Sequence, residues 1–100
     1  MVERPRLDRI FHALADRTRR QMLRELRTGR RNISELAAPF HMTYAAASKH
    51  VRVLEGAGLL RRKAKGRAQE CRIQSLPLKV AYRWLLSYQD LWDKVDRVLE

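Results

Sequence analysis

Apolar residues recur along this chain with two different periods, and the changes of period divide it into elements. Leu7, Ile10, Phe11 and Leu14 follow the three-and-four spacing of one helix face, which predicts a first helix over about residues 6–15, entered after Pro5. Asp16 reads as the N-cap of a second helix, Arg17 to about Arg27, with Met22, Leu23 and Leu26 inward and Gly29 as its stop. Ile33 reads as a short extended residue, and Ser34 as the cap of a brief third helix holding Leu36, Ala37 and Ala38, cut short by Pro39. Phe40 to Met42 make a turn into a fourth helix. Thr43 caps that helix, because its hydroxyl can accept from a free first-turn N–H, and Gly56 and Gly58 end it. Ala47, Val51 and Leu54 form its buried stripe, which leaves Tyr44, Ala45, Ser48, Lys49 and Arg52 facing outward.

The period then shortens. The run LLRRKAKGRAQECRI, from Leu59 to Ile73, predicts two strands joined at Lys65-Gly66-Arg67. From Pro77 the helical spacing returns, and Ala81, Trp84, Tyr88, Leu91, Val95 and Val98 trace a seam that predicts one last helix over about residues 77–99. Leu85, Trp92 and Leu99 lie beside the seam, so the apolar face is wider than one neighbour in a small domain needs, and a second chain is the economical cover. The expected architecture is mainly α with a small β-hairpin, in the order α-α-α-α-β-β-α. Residues Ser34 to Ala57 would form a helix-turn-helix and the hairpin a wing beside its second helix.

Length and charge narrow the function. One hundred residues, 45% of them apolar, make a single domain over 1–100 with an adequate but thin core, which dimerisation would help. A formal charge of +11 implies a polyanionic partner, with nucleic acid ahead of an anionic membrane surface. The N-terminal run MVERPRLDRIF lacks the apolar stretch of a secretory signal, and no apolar run approaches the roughly 20 residues of a membrane span, so a soluble cytoplasmic protein without a membrane partner is expected. Arg17, Arg19, Arg20, Arg24 and Arg27 make the second helix arginine-rich, a solvated face by default, with phosphate contact the alternative for some of them.

Catalysis is not expected. No nucleophile elbow, phosphate-binding loop or ligand cluster is present, and His12, His41, His50 and Cys71 fall in four different elements, so neither a metal site nor a cofactor is expected. Cys71 reads as a half-buried strand residue rather than a thiol switch, although Arg72 beside it would tend to lower its pKa. A lone cysteine also forms no intrachain disulfide.

These patterns carry a family resemblance across nearly the whole chain. FHALADRTRRQMLREL resembles the opening helices of ArsR-type winged helix-turn-helix repressors; ISELAAPFHMTYAAASKHVRVLEGAGLL resembles their helix-turn-helix, and RRKAKGRAQECRI their wing. The resemblance implies a homodimer whose terminal helices form the interface while two reading helices enter successive major grooves. Metal-sensing members carry a cysteine pair where this chain has SELAA, or acids and histidines on the terminal helix. This chain has no cysteine in the former and no histidine in the latter, and it resembles the members without metal sites.

The expected function is therefore sequence-specific binding of double-stranded DNA by a homodimeric repressor at an inverted repeat. No motif implies a small-molecule or protein effector. Tyr44, Ala45, Ser48 and Lys49 are candidates for base edges, and Thr43, His50, Arg52, Arg61, Arg62, Lys63, Lys65 and Arg67 for the backbone. Leu7, Ile10, Phe11, Leu14, Ala81, Trp84, Leu85, Tyr88, Leu91, Trp92, Val95 and Val98 are the candidates for the dimer interface. The rival is a basic architectural module that binds DNA or RNA without reading sequence. RNA would favour exposed aromatics for base stacking, and only Tyr44 is placed to supply one.

Overall fold

The computed structural model describes residues 3–99, and side chains from Arg6 onward; residues 1, 2 and 100 of the expected domain lie outside the described residues. Among the described residues the order is α1 (Glu3–Leu14), α2 (Arg17–Leu26), β1 (Arg31–Asn32), α3 (Ile33–Ala37), a 3-10 turn (Ala38–Phe40), α4 (Tyr44–Gly56), β2 (Leu60–Lys65), β3 (Ala68–Ile73), α5 (Leu76–Leu86) and α6 (Gln89–Leu99). Six helices and a three-stranded antiparallel sheet, in the order β1-β3-β2, make a winged helix-turn-helix.

The predicted patterns close one core. Met22, Leu23 and Leu26 of α2, Ile33, Leu36 and Ala37 of α3, Ala47, Val51 and Leu54 of α4 and Leu59, Leu60 and Cys71 of the wing base are all buried together. Full burial of side chains such as Val51 and Leu54 is worth about 1.5–3 kcal/mol each, so packing against α2 and α3, more than helix propensity, holds α4 in place. Its ends are fixed locally. The Thr43 hydroxyl accepts from Ala46 N at 3.1 Å. At the other end Leu59 N donates to Leu54 O and Gly58 N to Glu55 O, both at 2.9 Å, with Gly58 at φ +75°. This reversed turn satisfies the last carbonyls and folds Leu59 back onto Leu54 in the core.

Several boundaries differ from those expected. The helix α1 starts at Glu3, before Pro5, because a proline in a first turn lacks only an N–H that would be unpaired anyway. The extended residues are Arg31 and Asn32, which pair with Cys71 and Glu70 as a third strand, and Ile33 opens α3 instead. The cap of α3 is Asn32 rather than Ser34: its side chain accepts from Glu35 N at 2.8 Å while Glu35 accepts from Asn32 N at 2.9 Å. The expected single helix over residues 77–99 breaks at Ser87 and Tyr88. There the Ser87 hydroxyl donates to Trp84 O at 2.6 Å, and Ser87 N and Tyr88 N donate to Trp84 O and Leu85 O, three residues back. A serine that bonds to the preceding turn competes with the helical ladder and lets the chain tighten and turn. No described helix is long and apolar enough to cross a membrane.

Candidate DNA-reading surface

The buried stripe of α4 sets what its other side presents. Ala47, Val51 and Leu54 face the core, so helical geometry places Ala45, Lys49 and Arg52 outward, and all three are exposed. Tyr44 is 52% exposed at the start of the helix, Thr43 is exposed beside it, and Ser48 is half-buried on the same side as Tyr44. The only acid of α4, Glu55, is in its last turn and is bound elsewhere. A helix face of small side chains, hydroxyls and cations can approach base edges closely, which acids would oppose.

Two of the residues expected on the DNA backbone are tied inside the protein. His50 Nδ1 lies 3.4 Å from Arg19 Nη1 and 3.9 Å from Asp16 Oδ2, at the junction of α1 and α2. Arg19 there donates through Nε to Ala13 O at 2.8 Å and through Nη2 to His12 O at 2.9 Å, and Asp16 accepts from Arg19 N at 2.9 Å as the cap of α2. The Arg19 backbone N–H, with the nearby Arg19 and His50 side chains, holds the Asp16 carboxyl below its usual range against a partial desolvation. His50 thus fastens α4 to the α1–α2 corner. Arg62 is likewise held: its Nη2 is 2.8 Å and its Nε 3.4 Å from the two carboxylate oxygens of Glu55, and its side chain is only 24% exposed. The pair clamps the wing to the end of α4.

Strand alternation sorts the remaining wing cations. Arg62 shares a face with buried Cys71, its cross-strand partner, whereas Arg61, Lys63 and Lys65 share the opposite face with Glu70 and Arg72. Lys65 and Arg30 each lie 3.4 Å from one oxygen of Glu70. Arg61, Lys63 and Arg67 are exposed, and Gly66 at φ +61° makes the two-residue turn that carries Arg67 at the tip. Arg61 stands directly across from Arg72, a like-charge pair that is unfavourable until an anion bridges it. Together with Arg62, Lys63 and Glu70 these two line a groove of about 400 Å³. Sequence reasoning missed Arg72 and Arg30 as basic-surface residues; the β2–β3 register, legible from the Gly66 turn, would have placed Arg72 opposite Arg61.

Cys71 is fully buried rather than half-buried, and burial pushes its thiol up to about 11, outweighing the lowering by Arg62. Arg72, expected to lower it, points to the other face of the sheet. Among the described residues no three His, Cys, Asp or Glu side chains converge as metal ligands would.

The expected interface residues divide as well. Ile10 and Ala81 are closed inside the chain's own core, out of reach of any partner; Leu7, Phe11 and Leu14 are half-buried, and Phe11 meets Trp84 edge to face at 5.5 Å between ring centroids. Trp84, Leu85, Tyr88, Leu91, Trp92, Val95 and Val98 are all exposed, and α6 buries no residue at all.

A compact helical core presenting one basic helix and one basic hairpin defines a winged helix-turn-helix DNA-binding protein. The helix-turn-helix domain family matches residues 14–63. A crystal structure of an ArsR family transcriptional regulator is similar over 89% of this chain and 92% of its own, with 40% identity and a TM-score of 0.82. An ArsR-like transcriptional regulator from Rhodococcus sp. RHA1 is 27% identical over 99% of this chain and 93% of its own, with a TM-score of 0.76. The homodimeric winged helix-turn-helix DNA-binding domain of a possible ArsR-family regulator from Mycobacterium bovis is 26% identical over 87% of this chain and 82% of its own, with a TM-score of 0.69. Among curated proteins nothing matches the chain. The chain belongs to the ArsR family of transcriptional regulators, and it is a DNA-binding regulator rather than an enzyme.

Proposed function

We propose that the chain is a homodimeric repressor that reads an inverted-repeat operator, with residues 1–100 acting as one DNA-binding domain. The observation that carries the reading is the exposed, acid-free outer face of α4 set beside a wing with free cations. Tyr44, Ala45, Ser48 and Lys49 contact base edges; Thr43, Arg52, Arg61, Lys63, Lys65 and Arg67 hold phosphates or the adjacent minor groove. His50 and Arg62 act through their internal bonds, by fixing the angle of α4 and the wing.

Dimerisation rests on the apolar side chains left exposed on α5 and α6, and α1 completes the interface where Phe11 packs on Trp84. The Mycobacterium bovis relative is a homodimer. Two-fold symmetry would then place two reading helices about 34 Å apart along the duplex, one turn of B-DNA. Repression follows from occupancy, since a dimer seated on a promoter blocks access to it. Selection of bound duplexes from a random pool tests the reading: an enriched inverted repeat is expected, and recovery of unrelated sequences would support the architectural alternative.

A further inference from the structure

The cations of the reading helix and wing leave a second basic surface unexplained. On α2 and its C-cap, Arg17, Arg20, Arg24 and Arg27 follow one another at spacings of three, four and three, which with the cap still in helical conformation sets them on a single stripe, and all four are exposed. Arg20 donates to Leu14 O at 2.7 Å. The only acid of α2, Glu25, lies about 100° around the helix from Arg24 and accepts from Gln21 at 3.4 Å. Arg17 occupies the first position of α2, where the helix dipole disfavours a cation, so helix stability does not account for it.

Arg30, three residues beyond Arg27 in the chain, reaches the wing. There it shares Glu70 with Lys65, so one acid sits between two cations. Every apolar residue of α2, namely Met22, Leu23 and Leu26, is buried. The buried centre of a protein–protein interface is enriched in apolar and aromatic side chains, and this surface offers none; a phosphate backbone needs only cations.

We propose that the α2 stripe is a second phosphate-binding surface, which engages duplex DNA flanking the stretch held by α4 and the wing. Each protomer thereby lengthens the bound segment, and the flanking duplex bends toward α2. The proposal rests on the DNA-binding reading above, and its test separates the two.

The variant is Arg24→Gln with Arg27→Gln, two exposed positions whose side chains make no hydrogen bond or ion pair among the described residues. Affinity is measured across a salt series on the selected operator alone and on the same operator extended by about 20 base pairs on each side. For the wild type the log–log salt slope should be steeper on the extended duplex, and the variant should lose about two to four units of slope there, at about 0.9 per phosphate over four arginines of a dimer. On the short duplex the variant should match the wild type. Equal slopes for both proteins on the extended duplex would overturn the proposal, as would an equal loss on both duplexes, which would place the stripe within the operator footprint. Loss of binding to a polyglutamate peptide with DNA slopes unchanged would overturn it in favour of an acidic protein partner. Failure of the wild type to bind even the short duplex would instead refute the DNA-binding reading itself.

Discussion

The outer face of α4 and the outer face of α5–α6 are both exposed amphipathic helix surfaces, and they differ in what they leave unsatisfied. The first has already buried its apolar stripe on α2 and α3, and what remains outside is small, polar or cationic. The second keeps its apolar stripe outside: Trp84 is 43% exposed, Trp92 38% and Val98 85%, and nothing in α6 is buried. Exposed cations cost a protein little in water, while a contiguous patch of exposed aromatics and aliphatics is the mark of an interaction surface. The same helical periodicity thus serves two ends. One face is complete and offers charge to a nucleic acid, and the other leaves apolar area uncovered, which the proposed dimer would bury.

The contrast can be broken first at the apolar face. Leu91→Asp should place a charge in that face and convert a dimer to monomer by sedimentation, with operator affinity reduced about a hundredfold or more as the two half-sites cease to be held together. A wild-type protein that sediments as a monomer at micromolar concentration would end the dimer account. The cationic face is tested next by replacing Arg61, Lys63 and Arg67 with Gln. Specific and random duplexes should weaken about equally, and the log–log salt slope should fall by about one unit for each phosphate no longer held.

The corner that aims α4 should show a smaller effect. Asp16→Ala removes the cap of α2 and one anchor of the His50 cluster, and chemical denaturation at pH 7 should show a loss of about 0.5–2 kcal/mol. Because the folded carboxyl titrates below 3.8, its contribution is present above that value and fades as pH falls through the lower folded value; the wild-type and variant stabilities should converge in acid. Cys71 reports on the core that both faces share. A thiol raised from 9.0 to about 11 should resist alkylation in the native protein at pH 8 and react once the chain is unfolded. Its contribution to stability is complete below pH 9.0 and is lost as pH rises toward about 11.

Periodicity carried most of the architecture, because burial is what periodicity reports. The stripes of α2 and α4, the Thr43 cap and the Gly66 turn all stood in the sequence as local signals, and each is found at its expected position. What escaped depends on competition between local bonds or on bonds that cross the fold. The break at Ser87 has no glycine or proline to mark it, since a hydroxyl bonding back to Trp84 suffices. The capping box hides behind two plausible caps, Asn32 and Ser34, and only the reciprocal bond from Glu35 decides between them. In the candidate site, exposed Tyr44, Ala45 and Lys49 followed from the helix face alone. The captures of Arg62 by Glu55 and of His50 by the α1–α2 corner join different elements, and no spacing along the chain encodes them.

In the proposed function α4 reads sequence while the wing supplies affinity. The most direct test compares affinity for the selected operator and for a scrambled duplex of equal length and composition, at one salt concentration, for the wild type, Tyr44→Ala and Ser48→Ala. The wild type should prefer the operator, and each variant should lose part of that preference, by about 1–3 kcal/mol where a bidentate-quality base interaction is removed and less for a weaker one. Their salt slopes should stay close to the wild-type value, because neither side chain carries charge. Equal affinity of the wild type for both duplexes, or an equal loss on both in the two variants, would contradict the claim that this helix is the reader.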